Sequence, residues 1–210
     1  MKVLVIGAGN MGSAFVKQLS AAGHSVRVTA RNTEQATALA AQYAGAQAVP
    51  AAQAAYGQDV VVLATGYADA AAALQSVGVQ AGQVVVDITN PLTADYKGLT
   101  LGHSTSAAEE IAKAAPQVQV VKAFNTLFAQ VLGQGAQLAD GNRATVFYAS
   151  DSDAAKDAAR TLATSMGFAT VDAGKLKNAR YLEPLAGLNI CLGYGAGRGT
   201  GIAPTWVGAN

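Results

Sequence analysis

Three glycines near the amino terminus have a spacing that lets a protein backbone approach a phosphate group. The segment Gly7–Gly12 reads G-x-G-x-x-G, follows the apolar run Val3–Ile6 and precedes a helix-length segment. In such a unit the first glycine permits a tight turn, the second lets a pyrophosphate come close, and the third lets helix and strand pack together. Free N–H groups at the helix N-terminus favour an anion. Gly7, Gly9 and Gly12 therefore predict a dinucleotide site, with a glycine-rich turn that binds no ligand as the alternative.

The residues that end the second predicted strand bear on which dinucleotide binds. About 20 residues after the last glycine, NAD-binding proteins place an acidic residue on the ribose 2′-hydroxyl. Here the sequence is Thr29-Ala30-Arg31-Asn32, without a carboxylate. The guanidinium of Arg31 presents a fork of donors that suits a 2′-phosphate. We therefore expect NADP(H) rather than NAD(H), with a solvent-facing arginine at the start of a loop as the alternative.

Short β-branched runs alternate with alanine-rich helical segments along the chain. Strands are predicted at Val3–Ile6, Val26–Thr29, Val60–Leu63, Val84–Asp87, Val118–Val121, Thr145–Tyr148 and Phe168–Val171. Helices are predicted at Ser13–Ala22, Thr33–Tyr43, Ala68–Val77, Ser106–Ala115 and Asp153–Met166. Because the strand runs are continuously apolar, we expect parallel strands that are covered on both faces. The pattern predicts an α/β fold with a Rossmann-type doubly wound parallel sheet.

The last forty residues differ in composition from the rest. We predict a nucleotide-binding domain over residues 1–170 and a helical, glycine-rich covering segment over residues 171–210 that is not an independent domain. Glu183-Pro184 suits a helix start with proline in its first turn, before the apolar run 185–192. The stretch Gly193–Gly199 lacks phosphate-loop spacing and follows a helix, so it is expected to line a flat ring or to form a flexible tail.

Composition restricts the classes of function. The 210-residue chain is 51% hydrophobic and carries a net charge of +1, which gives no basic field for nucleic acid. With two histidines and one cysteine, neither a disulfide framework nor a metal site is predicted. No secretory signal and no apolar stretch of about 18 or more residues is recognisable, so we expect a cytoplasmic protein without a membrane partner. The apolar excess is compatible with a homodimer.

Several blocks of this sequence resemble the deazaflavin-dependent NADP oxidoreductases. In that family hydride moves between NADP and coenzyme F(420), an 8-hydroxy-5-deazaflavin. Asn-Pro after one strand together with Lys-Ala-Phe-Asn after the next is a narrower signature than the glycine motif. The cytosolic reductase domains of membrane metalloreductases are similar as well. The blocks that carry the resemblance are Ile6–Gly12, Thr29–Asn32, Val85–Leu92, Ser104–Glu110 and Val120–Thr126.

The resemblance implies roles for particular residues. The chain departs from the family at Gln35, where a second basic residue is common, and at Gly66, where proline is common. The residues implied are Gly9, Asn10, Met11 and Gly12 for the pyrophosphate, Arg31 for the 2′-phosphate, Thr65, Gly66 and Tyr67 for the nicotinamide-side ribose, and Ala123 and Asn125 for the nicotinamide.

Four polar or turn-forming positions also make sense without the resemblance. Thr65, Asn90, Pro91 and Asn125 follow predicted strands, and ligands of open α/β sheets bind at the carboxyl ends of strands. An amide such as that of Asn125 can both donate to and accept from a nicotinamide carboxamide. The alternatives are a turn residue before proline for Asn90 and a local cap for Asn125.

No catalytic side chain is predicted. Hydride transfer needs two rings held with their reacting carbons about 3–3.5 Å apart, and the cofactor carries the chemistry. His103 is expected to be a solvated loop residue, with a proton donor to the acceptor as the alternative. His24 is expected to be a surface residue and Cys191 a buried core thiol. Lys122 follows a valine run, and we expect a structural pair with Asp87.

The leading hypothesis is an oxidoreductase that transfers hydride between NADP(H) and a flat second cofactor, deazaflavin or flavin, as its small-molecule redox partner. One alternative is an NADPH-dependent reductase of a small imine, a keto acid or a ferric chelate. Another is a non-catalytic protein that senses NADP(H).

Overall fold

The computed structural model describes residues 1–206 of the chain. Its strands are β1 (Lys2–Ile6), β2 (Ser25–Thr29), β3 (Ala46–Ala48), β4 (Val60–Leu63), β5 (Val84–Asp87), β6 (Gln119–Ala123), β7 (Thr145–Ser150) and β8 (Ala169–Asp172). Its helices are α1 (Asn10–Ala21), α2 (Thr33–Ala40), α3 (Ala70–Val77), α4 (Ala107–Ala114), α5 (Ala129–Gln134), α6 (Asp153–Ser165) and α7 (Ala179–Ile190). Short 3₁₀ turns precede α3 and α7, and a π-helical turn at Cys191–Gly195 follows α7.

The strands form one sheet in the order β3-β2-β1-β4-β5-β6-β7-β8. Neighbouring strands are parallel except β6 and β7, which are antiparallel. Side chains alternate between two cores on opposite faces of the sheet: Val3 and Val5 of β1 lie in one, and Leu4 and Ile6 lie in the other. Both faces are therefore covered, which explains the continuously apolar strands. The predicted doubly wound α/β fold is confirmed.

Side-chain caps fix where several helices begin. Asn32 accepts a hydrogen bond from the Gln35 backbone at the start of α2. At α4, Ser106 accepts from the Glu109 backbone and its hydroxyl donates to the Glu109 carboxylate, which is a reciprocal capping box. These caps place the first turns of both helices at the carboxyl edge of the sheet.

Two short elements and one strand direction were not predicted. The edge strand β3 is three residues of alanine and glutamine, and α5 is only six residues long, so neither carries a clear periodic pattern. The antiparallel direction of β7 leaves no mark on its sequence, because a strand buried on both faces is apolar in either direction.

The C-terminal helix corrects two expectations. α7 begins at Ala179, so Pro184 lies inside the helix rather than in its first turn. Cys191 is exposed rather than buried, because it lies on the outward side of the π-helical turn. None of the helices formed by residues 1–206 is long and apolar enough to cross a bilayer.

Candidate functional site

The carboxyl ends of β2, β1, β4, β5 and β6 meet at one edge of the sheet, because these neighbouring strands are parallel. Ligands of open α/β sheets bind at such an edge. The structure brings the following predicted site residues to it: Gly7, Gly9, Asn10, Met11, Gly12, Arg31, Thr65, Gly66, Tyr67, Asn90, Pro91, Ala123 and Asn125.

Two glycines of the turn after β1 are required by the protein's own packing. Gly7 has φ +117°, and a Cβ there would lie 2.3 Å from the carbonyl oxygen of Ala64. A Cβ on Gly12 would lie 1.9 Å from the carbonyl oxygen of Gly7. Any side chain at either position would force backbone to move.

Gly9 differs from both. Its φ of −75° is open to any residue, and a Cβ there would meet nothing within 4 Å. Gly9 is the N-cap residue of α1, and no side chain caps the helix within the described part of the chain. The first N–H groups of an α-helix have no partner inside the helix. The space above Gly9 therefore faces free donors at a positive helix end, and the pyrophosphate of a dinucleotide fits this arrangement.

Arg31 lies two residues beyond β2, with a side chain that is 90% exposed. Its guanidinium is 3.2 Å from the carboxylate of Asp69, which lies in the 3₁₀ turn before α3. Gln35, where the family often has a base, donates instead to the Ala8 carbonyl at 3.0 Å. Asp69 was missed from sequence because it belongs to a different loop from Arg31.

The loop after β4 carries Thr65, Gly66 and Tyr67. The Thr65 hydroxyl donates to the Gly66 carbonyl oxygen at 3.1 Å. Partial burial raises the pKa of the Tyr67 phenol, and nearby carboxylates, Glu110 foremost, raise it further. The phenol therefore stays protonated over the physiological range and keeps its donor hydrogen.

Asn90 and Asn125 hold each other across the ends of β5 and β6. The Asn90 amide donates to the backbone carbonyl of Asn125 at 2.9 Å, and the Asn125 amide donates to the Asn90 side-chain oxygen at 3.0 Å. The Asn125 amide also donates to the carbonyl of Leu182 in α7. Pro91 is buried, and its carbonyl accepts from Thr100. Both amide hydrogens of Asn125 are thus used within the protein.

The oxygen of the Asn125 side chain is buried and has no hydrogen-bond partner among the described residues. The hydroxyls of Thr89 and Thr126 are also buried and also have no hydrogen-bond partner among the described residues. Buried polar atoms are normally paired, so three such atoms at neighbouring strand ends call for an additional polar group or water. The amide of a nicotinamide supplies N–H donors that suit the Asn125 oxygen.

Phe124, the residue before Asn125, has an unusual backbone conformation. It directly follows β6 and has φ +61°, an uncommon conformation for a bulky residue, and its side chain is fully buried. Its ring packs edge to face on Phe15 of α1, with centroids 5.1 Å apart. The turn after β6 and helix α1 are therefore joined through one aromatic contact.

A buried ionic cluster lies beside the asparagine pair. The Lys122 ammonium is fully buried and contacts Asp87 at 2.6 Å, Glu183 at 2.9 Å and the Thr89 carbonyl at 2.7 Å. The Glu183 carboxylate also accepts from the first two N–H groups of α4. The predicted Lys122–Asp87 pair is confirmed. Glu183, placed by the sequence at a helix start, instead lies inside α7 and ties this helix to α4 and to the sheet.

The two histidines are the remaining titratable candidates. His24 is buried, contrary to expectation, between the terminal amine and the Ser165 hydroxyl. Burial and that amine lower the pKa of its imidazole. His103 is exposed in the loop before α4, as expected. Residues 1–206 contain no group of three or more histidine, cysteine or carboxylate side chains that could hold a metal ion.

Known proteins resemble this chain in sequence and in fold. Residues 2–91 match the family described as NADP oxidoreductase coenzyme F(420)-dependent. Metalloreductase STEAP3 of Rattus norvegicus is 32% identical over 185 residues, which cover 88% of this chain and 36% of that protein. The chain thus spans about a third of the length of this curated relative.

Solved structures of other proteins also resemble this chain in fold. A protein of Arthrobacter sp. FB24, provisionally described as an F(420)-dependent NADP reductase, has a TM-score of 0.85 and 29% identity, with 96% of each chain covered. A hypothetical protein of Sinorhizobium meliloti has a TM-score of 0.74 and 31% identity, covering 84% of this chain and 86% of its own. The chain is therefore similar to the coenzyme F(420)-dependent NADP oxidoreductases over residues 2–91, and the sequence and structure comparisons together support an NADP-dependent oxidoreductase.

Proposed function

We propose that this chain transfers hydride between NADP(H) and a flat second cofactor, deazaflavin or flavin. The observation that supports NADP(H) binding most directly is the open space next to Gly9. Neither the φ of Gly9 nor its packing requires glycine, and the space faces the uncapped start of α1. A ligand phosphate explains this glycine, and the protein's own contacts do not.

Different residues along the carboxyl edge of the sheet bind different parts of the dinucleotide. Arg31 holds the 2′-phosphate, and the first turn of α1 holds the pyrophosphate. The buried Asn125 oxygen accepts from the nicotinamide amide, which fixes the face that the ring presents. When bound, NADP(H) supplies the hydride itself. The protein's contribution is therefore to orient the ring and to exclude water.

A cavity of about 830 Å³ between the loop 99–103 and the start of α7 offers space for the second cofactor. One wall is the loop 99–103, which is hydrogen-bonded to the carbonyl of Pro91 through Thr100. The other wall is the first half of α7, including Tyr181 and Pro184, and α7 is tied to Asn125 through Leu182. Each wall is thus attached to a strand-end residue of the candidate site, Pro91 for the loop and Asn125 for α7.

Reduction of a ferric chelate is the second candidate function, and the similarity to a metalloreductase favours it. Both candidates share the NADP(H) site and differ in the acceptor. A flat aromatic acceptor should depend on the Tyr181 wall of the cavity, whereas a ferric chelate reduced through flavin should require added flavin.

The test has two stages. NADPH, NADH and their oxidised forms are first titrated by calorimetry, with Arg31→Ala as the specificity variant; we expect NADPH to weaken about tenfold or more and NADH less than twofold. NADPH oxidation is then followed with coenzyme F(420), FMN and ferric citrate in turn. Absence of binding by any pyridine nucleotide would overturn the proposal. Binding without oxidation by any acceptor would support the NADP(H) sensor instead.

A further inference from the structure

The Arg31–Asp69 ion pair spans the mouth of the glycine turn. β1 lies between β2 and β4, and the turn Gly7–Gly12 emerges from the end of β1. Arg31 follows β2 on one side of β1, and Asp69 lies in the turn after β4 on the other side. The 3.2 Å contact therefore crosses the end of β1 from one flank to the other.

The fold itself does not need this pair. Asp69 is the N-cap residue of α3, yet its side chain makes no capping hydrogen bond. Within the described part of the chain, Arg31 is the one cation in salt-bridge contact with it. The two side chains are 90% and 52% exposed, so the pair contributes little to stability. A charged pair without a structural task, placed over a nucleotide site, points to a role in ligand selection.

We propose that Asp69 is a specificity-determining residue that competes with the 2′-phosphate of NADP(H) for the Arg31 guanidinium. The proposal rests on the function proposed above. The 2′-phosphate and the Asp69 carboxylate carry charges of the same sign and seek the same donors. NADP(H) must therefore displace Asp69 from Arg31, whereas NAD(H), which lacks the 2′-phosphate, need not.

Asp69 thus supplies the carboxylate that the end of β2 lacks. NAD-binding proteins place an acidic residue near the adenosine ribose, where it repels a 2′-phosphate. Here the acid comes from the loop after β4 and is opposed by an arginine, so the preference for NADP(H) is smaller than Arg31 alone would give.

The test measures dissociation constants for NADPH and NADH in wild-type protein and in Asp69→Asn. Removing the carboxylate should tighten NADPH by about threefold to tenfold and leave NADH within twofold, and the gain should shrink as salt is raised. Glu34→Gln is the matched control, because it removes one exposed carboxylate near Arg31 in the chain that forms no ion pair in the described structure. We expect less than a twofold change there.

A double variant tests whether Asp69 influences NADPH affinity through Arg31. In an Arg31→Ala background, Asp69→Asn should change NADPH affinity less than twofold, because the contested donor is gone. Equal gains for NADPH and NADH, an unchanged NADPH affinity, or the same gain in Glu34→Gln would each overturn the competition. Tight NADPH binding with an Arg31-dependent preference, but no response to Asp69→Asn, would remove this inference and leave the proposed function intact.

Discussion

Two glycine-rich segments of this molecule look alike in sequence and differ in what their glycines face. In Gly7–Gly12 the middle glycine borders open space in front of the uncapped N-terminus of α1. In Gly193–Gly199 a Cβ on the first glycine would lie 2.6 Å from the ring of Phe128 and 3.0 Å from the carbonyl of Gly199. The second segment thus uses glycine to pack against the protein itself.

The two segments also differ in whether their backbone N–H groups are used within the protein. In the second segment the N–H groups of Ala196, Arg198 and Gly199 donate to carbonyls of the preceding turn. The Tyr194 ring packs edge to face on Phe128, with centroids 5.6 Å apart. This segment closes on itself and packs near α5, so it is neither a phosphate loop nor a loose tail. A phosphate site needs unused donors as well as glycine.

The largest expected effect is at Gly12. Gly12→Ala places a methyl group against the backbone oxygen of Gly7, which no side-chain movement can relieve. We expect a loss of more than about 4 kcal/mol in the free energy of unfolding, measured by urea denaturation. Retention of wild-type stability would show that the turn adapts more easily than its geometry indicates.

Gly9→Ala should separate binding from folding. The new methyl group meets no protein atom, so the unfolding free energy should change by less than about 1 kcal/mol. NADPH affinity should fall by about tenfold or more, because the methyl group occupies the space of the pyrophosphate. Gly98→Ala is the matched control, since a Cβ there would come no closer than 3.6 Å to the Thr93 side chain, and it should leave NADPH affinity unchanged. Equal affinities for the Gly9 variant and the wild type would contradict the pyrophosphate site.

Gly193→Ala should reduce stability and leave NADPH binding intact, the reverse of the effect expected for Gly9→Ala. Crowding against Phe128 should cost about 1–3 kcal/mol of unfolding free energy, seen as a melting temperature lower by several degrees. NADPH affinity should stay within twofold, because Gly193 packs against Phe128 and does not border open space. A selective loss of NADPH binding at unchanged stability would instead place the second segment in the site.

The smallest expected effect is at Arg198, the one basic residue of the second segment. Arg198→Ala should alter neither stability nor NADPH affinity measurably, in contrast to Arg31→Ala. Calorimetric titration of the two variants side by side checks this. A comparable loss in both would mean that the two glycine-rich segments share one ligand.

The asparagine pair and the ionic cluster show how far sequence reasoning extends. A lysine in a buried valine run needs a counter-charge, and Asp87 is opposite Lys122 in the register of β5 and β6, so that pair could be predicted. Glu183 could not, because its position against Lys122 depends on where α7 packs. The hydrogen bond between Asn90 and Asn125 could not be predicted either, because two residues at the same edge of a sheet need not be hydrogen-bonded to each other.

The sequence by itself determined the alternation of strands and helices, the glycine turn and the edge proposed to bind a ligand, because each follows from local pattern and from the parallel direction of neighbouring strands. Only the tertiary structure decided that β7 runs antiparallel, that Glu183 is buried, and that Asp69 lies beside Arg31. These features join residues far apart in the chain, and their distances are set by packing between elements, which no local pattern encodes.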